Sequence, residues 1–538
     1  MNEFCFASNG LLVFIAAMTK QDTTAAVVKN TGMGVIYITF AKLWFMMMGW
    51  VLVFVLPRLF NWAAGGDEDA GKAMYGVYGL VVTGVSFINN GIVTGTIQSV
   101  SKFTAEDESV AASVRISALK IMGAVGLIVA GVYALLSDVI STYWFESTDG
   151  HLARYMQLSA VIIVAYASYS VFIGSLNGLR RFRAQALFDI SYTTIKTALM
   201  VGFVLAGFEV LGTVLGFICA ALVICLAAYV KTRNTPGTAS FEGKKFVSFA
   251  WVIIAYTFIL NLVMMVDIYV LSGAVPRLAR EAGMVGDAIQ ETMKIRAGQY
   301  KAVQQLAFIP YQAVIAIAFV VFPLVSKVAK DAEIEVAKRY ISKALRFTLI
   351  LIVGLASVFC GVAEGAMSLV FPDGYEVAAP ALQVLSVGIV AFGLLVITNT
   401  VLNAAGKKWH AMTTVLIGMV GVLGLDALFL SFADCPGEHV LFLTAVGTSI
   451  AMFVTLAVSL FFVFRTFGAM VPLFTLFRVV AASATAVVAV HYAPGSGAVA
   501  TLAHCVGVLV IYFGILSVTR EFTGEDLGQL RQILKRNK

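Results

Sequence analysis

Fourteen apolar stretches of about 20 residues follow one another between Gly32 and Val518, and this pattern leaves the chain very few folds. About 20 apolar residues make a helix long enough to cross a ~30 Å hydrocarbon core. Lipid offers no water to hydrogen-bond the peptide groups, so a crossing segment is either a helix or part of a closed barrel. Continuous runs of this length predict helices. The expected spans are 32–57, 74–100, 115–140, 155–176, 188–206, 211–230, 246–271, 299–325, 343–371, 377–402, 411–431, 440–464, 471–492 and 497–518. Dividing 188–230 into two relies on a break near Gly207–Glu209. No interval between spans reaches the roughly 50 residues of an independent soluble domain, so an active site in an extramembrane domain is not expected.

The basic residues are sorted by side. If the first span leads outward, the even-numbered loops and both tails carry 25 of the 37 Lys and Arg, the odd-numbered loops carry seven, and five lie within spans. Such a bias is expected of a multi-pass inner-membrane protein with both termini in the cytoplasm. The net charge of +7 then belongs to loops facing anionic lipid heads, with no nucleic-acid surface implied. The six cysteines and five histidines show neither a CxxC pair nor ligand spacing, so no metal site, disulfide framework or cofactor is expected. At the N-terminus Leu11–Met18 is apolar but too short to span. It reads either as an interfacial segment or as a consequence of a true start at Met18.

Two loop signatures recur. Val100-Ser101-Lys102 after span 2 returns as Val325-Ser326-Lys327 after span 8, an offset of 326 − 101 = 225. Leu176-Asn177-Gly178 with Arg180-Arg181-Phe182 after span 4 returns as Leu402-Asn403 with Gly406-Lys407-Lys408-Trp409 after span 10, an offset of 403 − 177 = 226. Each is weak alone; both at nearly one offset predict a duplication of six spans, related by an axis along the membrane normal. The expected organisation is a tail at 1–31, an N-lobe at 32–230, a linker at 231–245, a C-lobe at 246–464, an added helix pair at 465–518 and a tail at 519–538.

With Tyr75-Gly76-Val77-Tyr78 opening span 2, Phe322-Pro323-Leu324 before Val325, Tyr375 before span 10, and Arg520-Glu521-Phe522-Thr523 with Glu525-Asp526-Leu527 in the tail, the chain resembles a known group. These are the oligosaccharidyl-lipid flippases of the multidrug/oligosaccharidyl-lipid/polysaccharide exporter superfamily. The resemblance implies two six-helix lobes around a central cavity and no enzymatic activity. It also implies movement of undecaprenyl-diphosphate-linked oligosaccharide to the periplasmic face for O-antigen, capsule or exopolysaccharide synthesis. Membrane lipids and a polysaccharide polymerase would be its neighbours.

Ionised side chains at mid-bilayer cost roughly 2.5–3.5 kcal/mol on insertion scales and tend to face a cavity. Lys42 in span 1 and Lys196 in span 5 lie near mid-depth, and Arg478 is about two turns into span 13. A diphosphate needs such cations, which give it charge-assisted hydrogen bonds. Snorkelling to an interface is the other reading and suits Lys120, near the start of span 3, better. Asp267, Glu364 and Asp426 lie toward the outer half of their spans, with Lys301 placed to pair with Asp267. They read as a gate or ion-coupling set, or else as side chains exposed at the outer interface. Pro310 in span 8 predicts a break that serves as a hinge or as a static kink. Gly91/Gly95, Gly174/Gly178 and Gly212/Gly216 are spaced for close helix contact.

Three rivals are weaker. Peptidoglycan-precursor flippases share Arg58-Leu59-Phe60 but carry an Arg-Asp pair where this chain has Leu52 and Val53, and an arginine where it has Gln305. Multidrug cation antiporters of the same superfamily usually have twelve spans and an acidic residue for cation coupling in the N-terminal lobe, whereas the deep residues of that lobe here, Lys42 and Lys196, would repel cations. Major-facilitator symporters carry a Gly-xxx-Asp-Arg/Lys-x-Gly signature that is absent from 102–115. Residues 272–298 depart from the family. They are expected to be a solvated insertion, with a short amphipathic helix over the outer mouth as the alternative.

Overall fold

The computed structural model describes residues 25–521 apart from 148–149, 236, 331–333 and 496, with side chains from Tyr37 onward except at 316, 319–320, 322–324 and 327–330. The expected N-terminal segment Leu11–Met18 and the tail beyond Glu521 lie outside these residues. No strand occurs among the described residues, and the helices are α1 (Ala25–Ala63), α2 (Glu68–Glu106), α3 (Ala111–Val139), α4 (His151–Gly178), α5 (Phe182–Phe203), α6 (Glu209–Thr232), α7 (Gly243–Met265), α8 (Asp267–Glu281), α9 (Asp287–Ala307), α10 (Ile309–Lys330), α11 (Ile334–Gly361), α12 (Ala363–Val370), α13 (Ala379–Ala404), α14 (Lys408–Leu430), α15 (His439–Phe467), α16 (Leu473–His491) and α17 (Ala498–Val518). Twelve helical segments among the described residues are long and apolar enough to cross a membrane.

One of the twelve, 182–232, is a hairpin and supplies two crossings. Gly207 at φ 88° and Glu209 at φ 48° turn the chain back, and Gly212 and Gly216 of the returning helix α6 then lie against Val204 and Met200 at the end of α5. Expected span 8 is broken between α9 and α10 at Phe308, and counting it gives about fourteen crossings. The break falls just before Pro310, which has no N–H to continue the ladder. Two further spans of this half break without proline: span 7 between α7 and α8, and span 9 at Val362 (φ −129°, ψ 28°) between α11 and α12.

The duplication is visible in packing. In the first half α2 packs on α4, α4 on α3 and α6, α5 on α6, and α1 on α5. Six spans later α10 packs on α13, α13 on α11 and α15, α14 on α15, and α7 with α8 on α14. The recurring turns match bond for bond. Arg180 N–H donates to Asn177 O and Arg181 N–H to Leu176 O; Gly406 N–H donates to Asn403 O and Lys407 N–H to Leu402 O. Both pairs form the helix-ending motif that needs one left-handed residue, met by Arg180 (φ 55°) in one copy and Gly406 (φ 74°) in the other.

The added pair α16–α17 packs on α11, where Tyr512 donates to Ile350 O at 2.8 Å. Its far end is fastened by buried Glu521, which accepts from Arg346 at 2.8 Å, Thr475 at 2.6 Å and Arg478 at 2.8 Å. Burial raises the Glu521 pKa, but the hydrogen bonds from Thr475, Arg478 and Arg346 and the Arg346 charge outweigh it, holding the carboxyl below its usual range.

The lobes meet along α2. Gly91 and Gly95 lie against Ile254 and Phe258 of α7, and at the basic face Lys102 sits over the Phe249 ring, 4.0 Å from its centroid. At the opposite face α2 meets α9, where Gly76 abuts the Lys294 carbonyl and Gly298 the Lys72 carbonyl. By the repeat, α1 and α10 would pair as α7 and α2 do, yet they form no such seam. Gly174 and Gly178 lie against Val100 and Thr104, so all three glycine spacings mark helix contacts.

Residues 272–298 are not a solvated insertion. Most of the segment extends α8 and α9 as a helical hairpin, leaving a turn at 282–286. Ile268, Leu271, Val275, Leu278 and Met293 are buried, and Gly273 lies against the Trp144 ring. An apolar stripe on α8 explains the packing.

Candidate functional site

Two clusters and the seam between the lobes gather most of the charged residues expected to act, leaving out Arg478 and Glu364. The first lies on α1 and α5. Lys42, with a 59% exposed side chain, is 3.4 Å from Asp189. Lys196, about two turns beyond Asp189 along α5, lies over three rings: Phe217 at 5.3 Å, Tyr192 at 5.6 Å and Phe45 at 5.7 Å from their centroids. Phe45 also lies 6.0 Å from Lys42 Nζ, so one ring joins both cations. Trp44 donates to Thr194 at 2.9 Å and fixes α1 against α5. Ring faces attract cations while leaving the ammonium hydrogens free for an anion. Asp189 was missed by sequence reasoning because it lies at the very start of span 5. Lys120 is exposed on α3.

Arg478 joins neither cluster. Its guanidinium is held by Glu521 at the basic face, a pairing that the sequence does not suggest.

The second cluster lies inside the C-lobe. Asp267 and Asp426 are fully buried, so neither is an interface carboxylate. Asp267 begins α8 where span 7 breaks; it accepts from the Ile268 N–H at 3.0 Å, Tyr300 at 2.8 Å and Gln304 at 2.6 Å. Thr448 of α15 lies between the carboxylates, 3.1 Å from both oxygens of Asp426 and 3.5 Å from Asp267. The Gln304 carbonyl oxygen is buried without a partner. Two carboxylates, a threonine hydroxyl and an amide oxygen are hard donors suited to a small cation. Glu364 stands apart, exposed on α12.

Lys301 does not pair with Asp267. Residues on a helix are 100° apart, so Tyr300 and Gln304 share the face toward Asp267 while Lys301 points round to α2. There it donates to Thr83 Oγ1 at 2.9 Å, buried, with its stem against Gly79. Further out the seam is closed by Tyr75, Tyr78, Phe371 and Tyr375, with centroids 5.1–6.2 Å apart. Arg58 of α1 donates to the carbonyls of Leu369 and Val370 across the seam, while Gln299 donates to Gly374 O at 3.0 Å within the C-lobe. The lobes are therefore sealed at the face opposite the basic one.

Two like lobes, closed at one face and lacking a seam between α1 and α10, define a multi-pass helical membrane protein. Residues 31–329 match the family of polysaccharide biosynthesis proteins, over half of the chain, and the chain belongs to that family. Among solved structures, the lipid II flippase MurJ in an inward closed conformation is similar at 13% identity, covering 90% of this chain and 99% of that one, TM-score 0.71. An outward-facing multidrug resistance MATE family transporter of the MOP superfamily is similar at 15% identity, covering 83% and 99%, TM-score 0.60. A MOP superfamily transporter from Pyrococcus furiosus is similar at 14% identity, covering 84% and 100%, TM-score 0.59. These likenesses show the fold, and with the family they bear out the superfamily resemblance drawn from the loop motifs. No curated protein sequence matches the chain.

Proposed function

We propose that the protein flips polyprenyl-diphosphate-linked oligosaccharide repeat units from the cytoplasmic to the periplasmic face of a bacterial inner membrane by alternating access. The basic face, with both termini, is cytoplasmic in this reading, and the lobes at 32–230 and 246–464 rock about the 231–245 linker. The observation that carries the reading is the convergence of Lys42 and Lys196 on Phe45 at mid-depth of the N-lobe. A diphosphate cannot cross hydrocarbon unneutralised, and two ammonium groups supply the charge and the donors. The same cations repel cationic drugs, which disfavours an antiporter. A lipid II flippase is the second reading, favoured by the TM-score of 0.71 to MurJ and opposed by Leu52 and Val53 at the Arg-Asp position.

The carboxylate pair supplies the drive. A proton or sodium ion entering between Asp267 and Asp426 draws on Tyr300 and Gln304, and the next residue along, Lys301, holds the outer seam through Thr83. Occupancy of the ion site and closure of the seam are therefore linked through α9, with Pro310 below it as hinge. Loss of the gene is expected to leave undecaprenyl-diphosphate-linked oligosaccharide on the cytoplasmic face with its sugars intact. Incomplete sugars would point instead to an enzyme of assembly, and unchanged lipid-linked sugars with drug hypersensitivity to an antiporter.

A further inference from the structure

The C-lobe copy of the duplicated basic turn borders a cleft. Where α14 starts and α15 ends, at the basic face, a cleft of about 420 Å³ is lined by Lys407, His410, Phe461, Phe462, Arg465 and Thr466. Among the described residues no carboxylate lies within ion-pair distance of Lys407 or Arg465. Lys407 is the N-cap residue of α14 and makes no side-chain cap; the His410 and Ala411 N–H groups return to its carbonyl, which leaves those of Lys408 and Trp409 at the start of a 23-residue helix beside the cleft. Free N–H groups and the helix dipole favour an anion there. The walls are built: His410 stands edge-on to Phe462, 4.7 Å between ring centroids at 84°, and Thr466 is held to Phe462 O at 2.7 Å.

What surrounds the cleft selects the source of that anion. Trp409 beside it is 67% exposed, as befits an aromatic at a membrane interface. Deeper in the membrane, Val420 of α14 is 64% exposed, and Phe453 and Val454 of α15 are 45% and 49% exposed. Seven residues separate Val454 from Phe461, which is about 10 Å of helix. The outer surface of the C-lobe thus offers a cationic seat at headgroup depth and an apolar strip below it.

We propose that this cleft binds the phosphate headgroup of an anionic phospholipid of the leaflet at the basic face, with the acyl chains lying on the strip below. It stands on the lipid-facing side of α14 and α15, apart from Lys42 and Lys196, and does not depend on what the protein transports. A seat of this kind fixes the depth of the C-lobe while the other lobe moves.

The test is native mass spectrometry of the full chain in detergent, titrated with phosphatidylglycerol or phosphatidylcholine. Phosphatidylglycerol is expected to be retained in preference. The variant Lys407→Gln/Arg465→Gln is expected to weaken that retention about 30-fold, since each basic residue at an anionic surface adds about fivefold. Arg180→Gln/Arg181→Gln, which alters the equivalent turn of the N-lobe, is expected to leave it unchanged. Equal losses in both variants would reduce the effect to general surface charge and overturn the proposal. Displacement of the lipid by inorganic phosphate at equal concentration would assign the cleft to a free anion and overturn it as well. If the double variant does not fold, Arg465→Gln alone is expected to lose about fivefold, and full retention there counts against the proposal.

Discussion

Replacing Gly298 by alanine tests whether the seal opposite the basic face is one state of a moving seam. A side chain there would fall on the Lys72 carbonyl, as one at Gly76 would fall on the Lys294 carbonyl. Both obstacles are backbone, so no rotamer relieves them, and α2 and α9 must separate. Overpacking of this kind costs about 1–3 kcal/mol. The cost falls on the closed seam and not on a state in which α2 and α9 have parted, so the equilibrium moves about 5- to 150-fold toward opening. A cysteine at Thr83, the partner of Lys301, reports the change through its labelling by a membrane-impermeant maleimide applied to that face. With Gly298→Ala the labelling rate is expected to rise at least about fivefold. Gly123→Ala, which meets nothing within 4 Å, is expected to leave it unaltered. Unchanged labelling in Gly298→Ala at normal abundance would refute the reasoning, because the seam would then be a fixed structural contact.

Asp267→Asn and Asp426→Asn are each expected to remove the dependence of transport on the proton or sodium gradient while the protein stays inserted; gradient-dependent transport in both variants would exclude the pair as the coupling site. Glu521 gives a pH prediction. Its pKa is depressed in the folded protein, so its stabilisation is complete above the usual glutamate value and is lost as the pH falls through the lower folded value. Melting temperature in detergent is expected to drop in that acid range. Glu521→Gln, which leaves Arg346 and Arg478 without their carboxylate, is expected to cost about 2 kcal/mol at neutral pH and to flatten the acid-dependent loss.

Depth in the membrane is legible in a sequence, whereas direction around a helix and the partner across a lobe are not. Lys42 and Lys196 stood out because they interrupt apolar runs, and the fold brings both to Phe45. The turn signatures at Asn177 and Asn403 were readable because helix ending fixes local residue choice, and their backbone bonds agree. Pro310 announced its break. The break at Val266 carries no proline or glycine signal, and what secures it is the packing of Asp267, Tyr300 and Thr448; the break at Val362 directly follows Gly361. Lys301 matches Asp267 in depth at the outer end of its span, but depth does not fix direction, and a 100° step sends it to Thr83 instead. The buried state of Asp426 and the tie between Arg478 and Glu521 depend on distant segments, as does the packing that turned 272–298 from an expected insertion into α8 and α9. Thr448 and Gln304 left a faint signal, polar residues inside apolar spans, indistinguishable from ordinary helix-packing hydroxyls and amides.

The central claim is that two lysines of the N-lobe carry a diphosphate across the membrane. Purified protein reconstituted in proteoliposomes with a fluorescent short-chain polyprenyl-diphosphate oligosaccharide provides the direct measurement, with membrane-impermeant quencher reporting the share that changes leaflet. The native chain is expected to translocate the lipid, and Lys42→Ala/Lys196→Ala to reduce the rate to that of empty vesicles. Lys42→Arg/Lys196→Arg is expected to keep part of it, since the charge remains while its geometry changes. Translocation by the double alanine variant at the native rate, with equal protein incorporated, would contradict the account.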